Sequence, residues 1–280
     1  MAPGQKRIGQ FVARGSWDGY WESAICEVYP EHIVRGYPVH EIIPRLSYAE
    51  MTYLVIRGEL PTARQARVLD AVLCAAPDAG LFSVHAATAR FVASAQPDTP
   101  VPAIAAGLMV AGDRTISPQA AGTLIEEGIA AVQAGESSAE AAARLVESRL
   151  TRGESIPGFG HPKHKEVDPR AASLRKVAES EGVWAEGGAF YDAVHAAFVA
   201  RKGSHLPMNI DGVFASVLYD LGFTARQMPG IALLAIMPGI IAHVDEENAE
   251  GVPLRVIPES TYTGRPARPL VGGHWSPTSI

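Results

Sequence analysis

Apolar residues recur every three to four positions along most of this chain, which is the spacing of an α-helix with a buried face. Four of these runs follow a Ser or Thr that precedes Glu or Gln by three residues, the pattern of a helix capping box. The four pairs are Ser47 with Glu50, Thr62 with Gln65, Ser137 with Glu140, and Thr224 with Gln227. No stretch shows convincing strand-like alternation beside a hairpin turn, so we predict an all-α protein.

Several predicted helices are apolar on nearly all sides, and such helices need neighbours on more than one face. The pattern therefore predicts a large layer of packed helices with a smaller helical lobe. The predicted helices are 47–57, 62–73, two within 84–111 separated by a break at 96–100, 119–134, 137–150, 169–180, 189–201, 213–221 and 224–243. Prolines and glycines interrupt the most apolar stretch, 228–244, which we interpret as a buried, broken helix shorter than a membrane span.

These elements divide the 280 residues into four predicted segments. They are an N-terminal arm (1–32), the first part of a large helical domain (33–154), a small helical lobe (155–225) and the C-terminal part of the large domain with a tail (226–280). The arm is irregular and rich in aromatic residues, and we expect it to pack on another surface, such as a second subunit. Its aromatic residues are Trp17, Tyr20, Trp21 and Tyr29.

Composition narrows the class of protein. The chain is 47% hydrophobic with a net charge of −6, which is typical of a soluble globular protein and argues against nucleic-acid binding. Cys26 and Cys74 have no partners at metal-ligand spacing, so neither a metal site nor a disulfide framework is expected. The N-terminus lacks the apolar segment of a secretory signal. We therefore expect a cytoplasmic protein with no membrane association.

Residues 156–170 concentrate groups that can do chemistry: two glycines, three prolines, two histidines, two lysines, an aspartate and an arginine. Glycine and proline prevent a continuous helix and allow the backbone to approach a ligand. His161 supplies a titratable imidazole, the lysines suit phosphate, and Arg170 suits a carboxylate. The same composition is also common in surface turns with solvated charges.

Asp211 precedes an apolar helical run and has two interpretations. A helix N-cap is the commoner role for such an aspartate, whereas a carboxylate at the foot of a buried helix is also suited to act as a general base. His85 lies in an apolar helical stretch and is interpreted as a packed core histidine. His243 follows an apolar helix, where a role at the helix end is plausible.

A series of motifs, in order along the chain, resembles the citrate synthase superfamily. The resemblance covers about residues 33–264 and implies a helical fold, a homodimer, and the making or breaking of a carbon–carbon bond at the α-carbon of an acyl-CoA. The motifs are Arg-Gly-Tyr (35–37), Leu-Ser-Tyr-Ala-Glu (46–50), Gly-Glu-Leu-Pro-Thr (58–62), Pro-Gly-Phe-Gly-His (157–161), Asp-Pro-Arg (168–170), Asn-Ile-Asp-Gly (209–212), Gly-Ile-Ile-Ala-His (239–243) and Tyr-Thr-Gly (262–264).

The resemblance implies roles for individual residues. Asp211 matches the aspartate that moves the proton on the thioester α-carbon, and His161 the histidine that handles the proton on the keto or hydroxyl oxygen of the acid. Substrate contacts are implied for Arg170, Thr115, Arg114 and His243. Coenzyme A contacts are implied for Ile156, Pro157, Gly158, Phe159, Gly160, Lys163 and Lys165. The CoA thioester is then a substrate, and no permanently bound cofactor is expected.

Departures from the family pattern favour cleavage over synthesis. Synthases carry a histidine where this chain has Thr115, and that histidine steadies the thioester oxygen as the enolate forms. Gly-Asp-Arg (112–114) instead resembles the citryl-CoA lyase module of ATP-citrate lyase. We therefore predict a citryl-CoA lyase-like enzyme in which His161 removes the hydroxyl proton and Asp211 reprotonates the enolate. The alternatives are a condensing synthase and a CoA-binding paralogue without catalysis.

Other departures concern the acid. Ile236, Ile257 and Glu259 stand where the family places arginines, and Ala79 stands where it places a histidine. An apolar residue cannot balance a buried carboxylate. We therefore predict an acid with one carboxylate fewer than citryl-CoA, or a more apolar one.

Overall fold

Helices dominate the computed structural model, which describes residues 23–112, 115–251 and 254–269 together with the backbone of residues 7–8 and 11–12. The all-α prediction is confirmed. The helices within these residues are α1 (Val39–Arg45), α2 (Tyr48–Arg57), α3 (Ala63–Cys74), α4 (Val84–Ala95), α5 (Pro100–Met109), α6 (Pro118–Gln133), α7 (Ser138–Thr151), α8 (Pro169–Ser180), α9 (Glu186–Lys202), α10 (Ile210–Asp220) and α11 (Met228–Glu250).

Short strands occur where the sequence predicts irregular structure. β1 (Arg7–Ile8) pairs with β2 (Phe11–Val12), and β3 (Cys26–Glu27), β4 (Ile33–Val34) and β5 (Tyr37–Pro38) form an antiparallel sheet in that order. Two-residue strands are too short to show an alternating pattern, which explains why the sequence did not indicate them. Trp17, Tyr20 and Trp21 of the predicted arm lie outside the described residues.

Three of the four predicted capping boxes are present, at the starts of α2, α3 and α7. The fourth differs, because Thr224 donates its backbone N–H to Gln227 Oε1 (3.0 Å) but α11 begins only at Met228. The predicted break in this helix is also wrong, since α11 continues through Pro238 to Glu250. Pro238 removes one backbone hydrogen bond, and the helix remains intact with Ile231, Ala235 and Ile240 buried against its neighbours.

α10 runs through the centre of the main apolar core. Every residue from Gly212 to Leu218 is buried, because α6, α8, α9 and α11 surround this helix. The core includes residues from Ala49 to Ala235. It therefore contains residues of all three predicted segments after the N-terminal arm, which are 33–154, 155–225 and 226–280. The division into a large domain and a small lobe stays a prediction. α10 also fixes the position of Asp211, which lies in its first turn.

α11 closes a second, smaller core against α4 and α5. By length and composition alone it is apolar enough to cross a membrane, but here its apolar residues pack on other helices. Buried Arg90 of α4 donates from Nε to Glu247 of α11 (2.6 Å) and also pairs with Glu246 and Glu250. Arg255 binds Glu247 as well, which holds residues 254–269 near these helices.

Replacing Arg90 with methionine is expected to lower the free energy of unfolding by about 3 kcal/mol, because Glu247 stays buried with only Arg255 to balance it. Urea unfolding followed by circular dichroism measures the change. The matched control is Arg67→Met, which removes an exposed pair with Asp70 (3.8 Å) and should cost at most about 0.5 kcal/mol. Equal losses in the two variants would contradict a structural role for the buried pair.

Candidate active site

One cavity of about 900 Å³ brings together most of the residues that the sequence singled out. Its wall comes from residues 76–86, the loop before α6, the loop 155–164, Arg170, the start of α10, and α11. Predicted site residues in the wall are Thr115, Ile156, Pro157, Gly158, Phe159, Gly160, His161, Lys163, Arg170 and Asp211. Lys165 and His243 are not in the wall, and Arg114 lies outside the described residues.

Backbone hydrogen bonds fix the glycine-rich loop against the segment that leads into α10. Gly160 N–H donates to Pro207 O and Asn209 N–H donates to Gly158 O, both at 2.8 Å. Gly158 has φ +81°, and a Cβ there would lie 2.1 Å from the hydroxyl of Tyr191, so only glycine fits. That hydroxyl donates to Pro157 O (2.6 Å). The loop is therefore held in place before any ligand binds.

Asp211 is not the N-cap of α10. Asn209 caps the helix by accepting from the backbone N–H groups of Asp211 (3.0 Å) and Gly212 (3.2 Å). The Ser117 backbone lies close enough to the Asp211 carboxyl to favour its charged form, while the carboxyl Oδ1 is buried with no hydrogen-bond partner among the described residues. Burial raises the pKa of Asp211 to about 6, although Ser117 and Arg170 oppose the increase. A carboxyl group with this pKa can give or take a proton near neutral pH.

Asp168 joins the two helices that carry the predicted site. Its buried carboxylate caps α8, accepts from Arg170 Nη2 (3.0 Å), and accepts from the Ile210 backbone N–H (3.2 Å). Burial by itself raises the pKa of this carboxyl, but the Arg170 guanidinium more than offsets it and holds the pKa below the usual range. Arg170 is thus oriented beside the start of α10. In the sequence, Asp168 is distinguished only as the first residue of the Asp-Pro-Arg motif.

His161 has a defined tautomer. Its Nδ1 accepts from the backbone N–H groups of Lys163 (3.1 Å) and His164 (3.0 Å), so in the neutral ring the proton is on Nε2. Desolvation lowers the pKa of His161, aided by nearby cations, although Asp168 opposes the decrease. Arg170 Nη2, which can only donate, also lies 3.4 Å from Nε2, but the two shorter backbone bonds to Nδ1 decide the tautomer. Two donors this close together suit a shared anionic oxygen, such as that of a bound acid.

The other predicted site residues differ in whether their side chains are free to meet a ligand in the cavity. Lys163 lies in the wall and places Nζ 4.5 Å from the centre of the Phe82 ring, whereas Lys165 Nζ donates to His161 O (3.2 Å). The Thr115 hydroxyl accepts from Gly112 N–H (2.8 Å) and lies 3.0 Å from the carbonyl oxygens of Val110 and Gly112. Its single proton is therefore directed to its own loop.

His243 is not at a helix end, because α11 continues for seven more residues. Its Nε2 lies 3.1 Å from Asp78 Oδ1, and its Nδ1 lies 3.4 Å from Arg90 Nη1. Asp78 is in the cavity wall. His243 therefore reaches the cavity through Asp78 in this structure.

Two of the four residues that depart from the family pattern form part of an apolar region of the cavity wall. Ala79 and Ile236 both line the cavity, whereas Ile257 and Glu259 are exposed on the C-terminal segment. Among the described residues of the wall, the one arginine is Arg170. No group of three or more metal-ligating side chains occurs within the described ranges.

Comparison with known proteins identifies the family. Residues 62–257 match the family described as citrate synthase, C-terminal domain. The chain therefore belongs to the citrate synthase family of enzymes. Citryl-CoA lyase from Hydrogenobacter thermophilus has a similar structure, with a TM-score of 0.82 and 31% identity, covering 89% of this chain and 97% of that protein.

More distant relatives share the fold or part of the sequence. ATP citrate lyase from Methanothrix soehngenii, solved with citrate and coenzyme A, has a TM-score of 0.76 at 19% identity, over 94% of this chain and 47% of that one. Citrate synthase 2 of Bacillus subtilis is 27% identical over 139 residues, which cover 49% of this chain and 37% of the synthase. The match thus spans just over a third of that relative's length.

Proposed function

We propose that this chain is a carbon–carbon lyase that cleaves a citryl-CoA-like 3-hydroxyacyl-CoA to acetyl-CoA and a 2-oxo acid. The observation that carries the proposal is the buried Asp211 carboxyl with its raised pKa, in the same cavity as the adjacent donors His161 Nε2–H and Arg170 Nη2. Breaking the bond leaves an enolate of acetyl-CoA. That carbon needs a proton, and the protonated Asp211 carboxyl supplies one.

The donors hold the acid half of the substrate in this proposal. Arg170 binds a carboxylate, and His161 Nε2–H donates to an oxygen of the same acid. Hydrogen-bond donors directed at the oxygen where charge develops accelerate such reactions by about two to three orders of magnitude each. His243 supports this region through its contact with Asp78. Substrate contacts by Arg114 and Thr115 remain part of the proposal.

The CoA half is proposed to lie along the glycine-rich loop, with its adenine against residues 156–160. This backbone is already held by Tyr191 and by the segment 207–209. Lys163 and Lys165 supply positive charge for the phosphates. The similar ATP citrate lyase was solved with citrate and coenzyme A, which supports the choice of ligand.

A condensing synthase is the second candidate, because curated relatives at 25–33% identity include citrate and 2-methylcitrate synthases. A non-catalytic CoA-binding protein is the third. A homodimer in the cytoplasm remains part of the proposal, and exposed apolar side chains on α4 and α5 (Phe91, Val101 and Met109) are suited to cover by a second copy.

The test is cleavage of two CoA thioesters by the purified chain: (3S)-citryl-CoA, and citramalyl-CoA, which has one carboxylate fewer. We expect acetyl-CoA and a 2-oxo acid from at least one substrate, detected by coupled dehydrogenase assays. Condensation of acetyl-CoA with the 2-oxo acid, without cleavage, would favour a synthase. Binding of the thioesters by calorimetry without turnover in either direction would favour the non-catalytic protein.

The variant Ile236→Arg refines the identity of the acid. It adds a guanidinium at a position in the cavity wall, and it should raise the preference for citryl-CoA over citramalyl-CoA by about tenfold. An unchanged preference would mean that Ile236 does not face the acid.

A further inference from the structure

Tyr191 of α9 is fully buried and lies behind the cavity wall, so its side chain does not meet the substrate. Its hydroxyl nevertheless reaches the glycine-rich loop, where it donates to the carbonyl oxygen of Pro157 (2.6 Å). A buried hydroxyl that bonds the backbone of a candidate active-site loop is suited to fix the position of that loop.

Two glycines allow the hydroxyl to lie against the backbone on both of its sides. A Cβ at Gly158 would lie 2.1 Å from the Tyr191 hydroxyl and 2.5 Å from Gly212 Cα. A Cβ at Gly212 would lie 2.4 Å from the same hydroxyl and 2.8 Å from Gly158 O. Such distances are far below van der Waals contact. The glycine-rich loop, the first turn of α10 and the Tyr191 hydroxyl therefore meet at one point.

This meeting point lies between the two groups that the proposed reaction uses. Gly212 directly follows Asp211 in α10, and Gly158 precedes His161 by three residues in the loop. The Tyr191 hydroxyl thus connects the segment that carries the imidazole with the helix that carries the carboxyl group.

The tyrosine ring is itself held in place. Its centre lies 5.2 Å from that of Phe159, which also packs edge-on against His195 (5.2 Å) and Phe198 (5.6 Å) of α9. Offset and edge-on contacts of this kind favour one ring orientation. The hydroxyl is therefore anchored by a helix outside both segments that it joins.

The hydroxyl also keeps its proton. Burial raises the pKa of Tyr191 well above its ordinary value of 10.0, and the negative charge of Asp211 raises it further. Tyr191 therefore remains a hydrogen-bond donor to Pro157 O throughout the pH range of an activity assay. The electrostatic effect of Asp211 on Tyr191 also shows that the two side chains are close.

We propose that Tyr191 is a positioning residue that fixes Asp211 relative to His161 and keeps water from the buried side of the Asp211 carboxyl. Its kinetic consequence rests on the proposed lyase function, whereas the placement of Asp211 does not. Asp211 Oδ1 is buried with no hydrogen-bond partner among the residues that the structure describes. Water that entered behind the loop would find an acceptor there.

The decisive variant is Tyr191→Phe, which removes the hydroxyl and keeps the ring. Pro157 O then loses this donor, and the space behind the loop opens to water. We expect kcat for cleavage to fall by about tenfold, because small errors in the placement of reacting groups are costly. The KM for the thioester should change less than kcat, since the hydrogen bonds between the loop and residues 207–209 remain.

Tyr53→Phe is the matched control. Tyr53 is 2% exposed, lies outside the cavity wall, and donates its hydroxyl proton to Leu221 O (3.1 Å). Both variants lose a buried tyrosine hydroxyl bonded to a backbone carbonyl, so both should lower the melting temperature to a similar extent. Only Tyr191→Phe should lower kcat.

A titration tests the placement of Asp211 without turnover. In ¹³C-aspartate NMR, with Asp211 assigned by its absence in Asp211→Asn, the wild-type carboxyl should titrate with a pKa of about 6 because it is buried. In Tyr191→Phe we expect this pKa to fall towards the ordinary value of 3.8, because water reaches the carboxyl. In Tyr53→Phe it should stay at about 6. The charged groups that act on Asp211 are Arg170 and Asp168, and both variants retain them.

The outcomes separate the two levels of inference. An unchanged pKa of Asp211 in Tyr191→Phe, or a kcat equal to that of Tyr53→Phe, would overturn the role of Tyr191 and leave the lyase function intact. A wild-type chain that cleaves neither citryl-CoA nor citramalyl-CoA would overturn the lyase function. In that case, a pKa of Asp211 that falls in Tyr191→Phe alone would still support the positioning of Asp211 by Tyr191.

Discussion

Replacing Asp211 with asparagine is expected to lower kcat for cleavage by about 10⁴-fold, because an amide cannot supply the proton that the enolate carbon takes up. Asparagine has nearly the same shape as aspartate, so it should occupy the same place beside the Ser117 backbone. Single-turnover cleavage of the substrate identified above measures the chemical step directly. A variant with wild-type kcat would exclude Asp211 as the proton donor.

The same substitution is expected to stabilise the fold, which separates loss of chemistry from loss of structure. Burial raises the pKa of Asp211 from 3.8 to about 6, so the native state disfavours the charged form by about 3 kcal/mol. The penalty is absent below about pH 4, develops between about pH 4 and 6, and is fully present at pH 7. Asp211→Asn should remove up to this amount at pH 7, measured by urea unfolding.

Asp220→Asn is the matched control for this prediction. Asp220 is a half-buried aspartate with a raised pKa, caused first by its partial burial, but its carboxylate accepts from the backbone N–H groups of Ala185, Gly187 and Gly188, away from the cavity. Losing an acceptor there should lower stability and leave kcat nearly unchanged. The two variants therefore have opposite expected effects on stability, and only Asp211→Asn is expected to lower kcat.

The raised pKa of Asp211 also predicts the pH dependence. The acid form predominates below about pH 6, and cleavage uses that form as a proton donor. Above about pH 6, kcat/KM for cleavage should fall by about tenfold per pH unit. Condensation would use the carboxylate and should decline below about pH 6 instead. A cleavage rate that rises through pH 6 would contradict the assignment.

Replacing His161 with alanine is expected to lower kcat by about 10³-fold, because the donor beside Arg170 is lost. His161→Gln should retain at least about ten times more activity than the alanine variant, since its amide N–H can replace Nε2–H as a donor. Steady-state cleavage assays give both values. If glutamine is as inactive as alanine, proton transfer at Nε2 is required, which is the role that the family resemblance implies for His161.

The sequence predicted local structure correctly where the interacting groups lie within a few residues of each other. The capping boxes at Ser47, Thr62 and Ser137 form as predicted because each joins residues only three apart. α8 begins and ends at the predicted residues. Asp168 is its N-cap and Pro169 is its first residue. The sequence failed at Thr224, where residues 225–227 form a turn and the helix begins only at Met228.

The sequence predicted only part of the candidate site. The motifs placed His161, Arg170 and Asp211 together, and the structure locates all three in one cavity wall. The motifs did not indicate that His85 also lines this cavity, because its neighbours in sequence are those of any buried helix. A buried helical histidine that precedes a glycine-containing helix was the available signal, and it is a weak one.

The sequence by itself determined the helical class, the family and the residues available for acyl-CoA chemistry, because these depend on local periodicity and on short motifs. Tertiary structure alone decided the position and protonation of those residues. The position of Pro157 depends on Tyr191, 34 residues away, and the pKa of Asp211 depends on burial beside Ser117, in a loop distant in sequence. Hydrogen bonding and desolvation act through space, so the role of each residue emerges only when the helices pack.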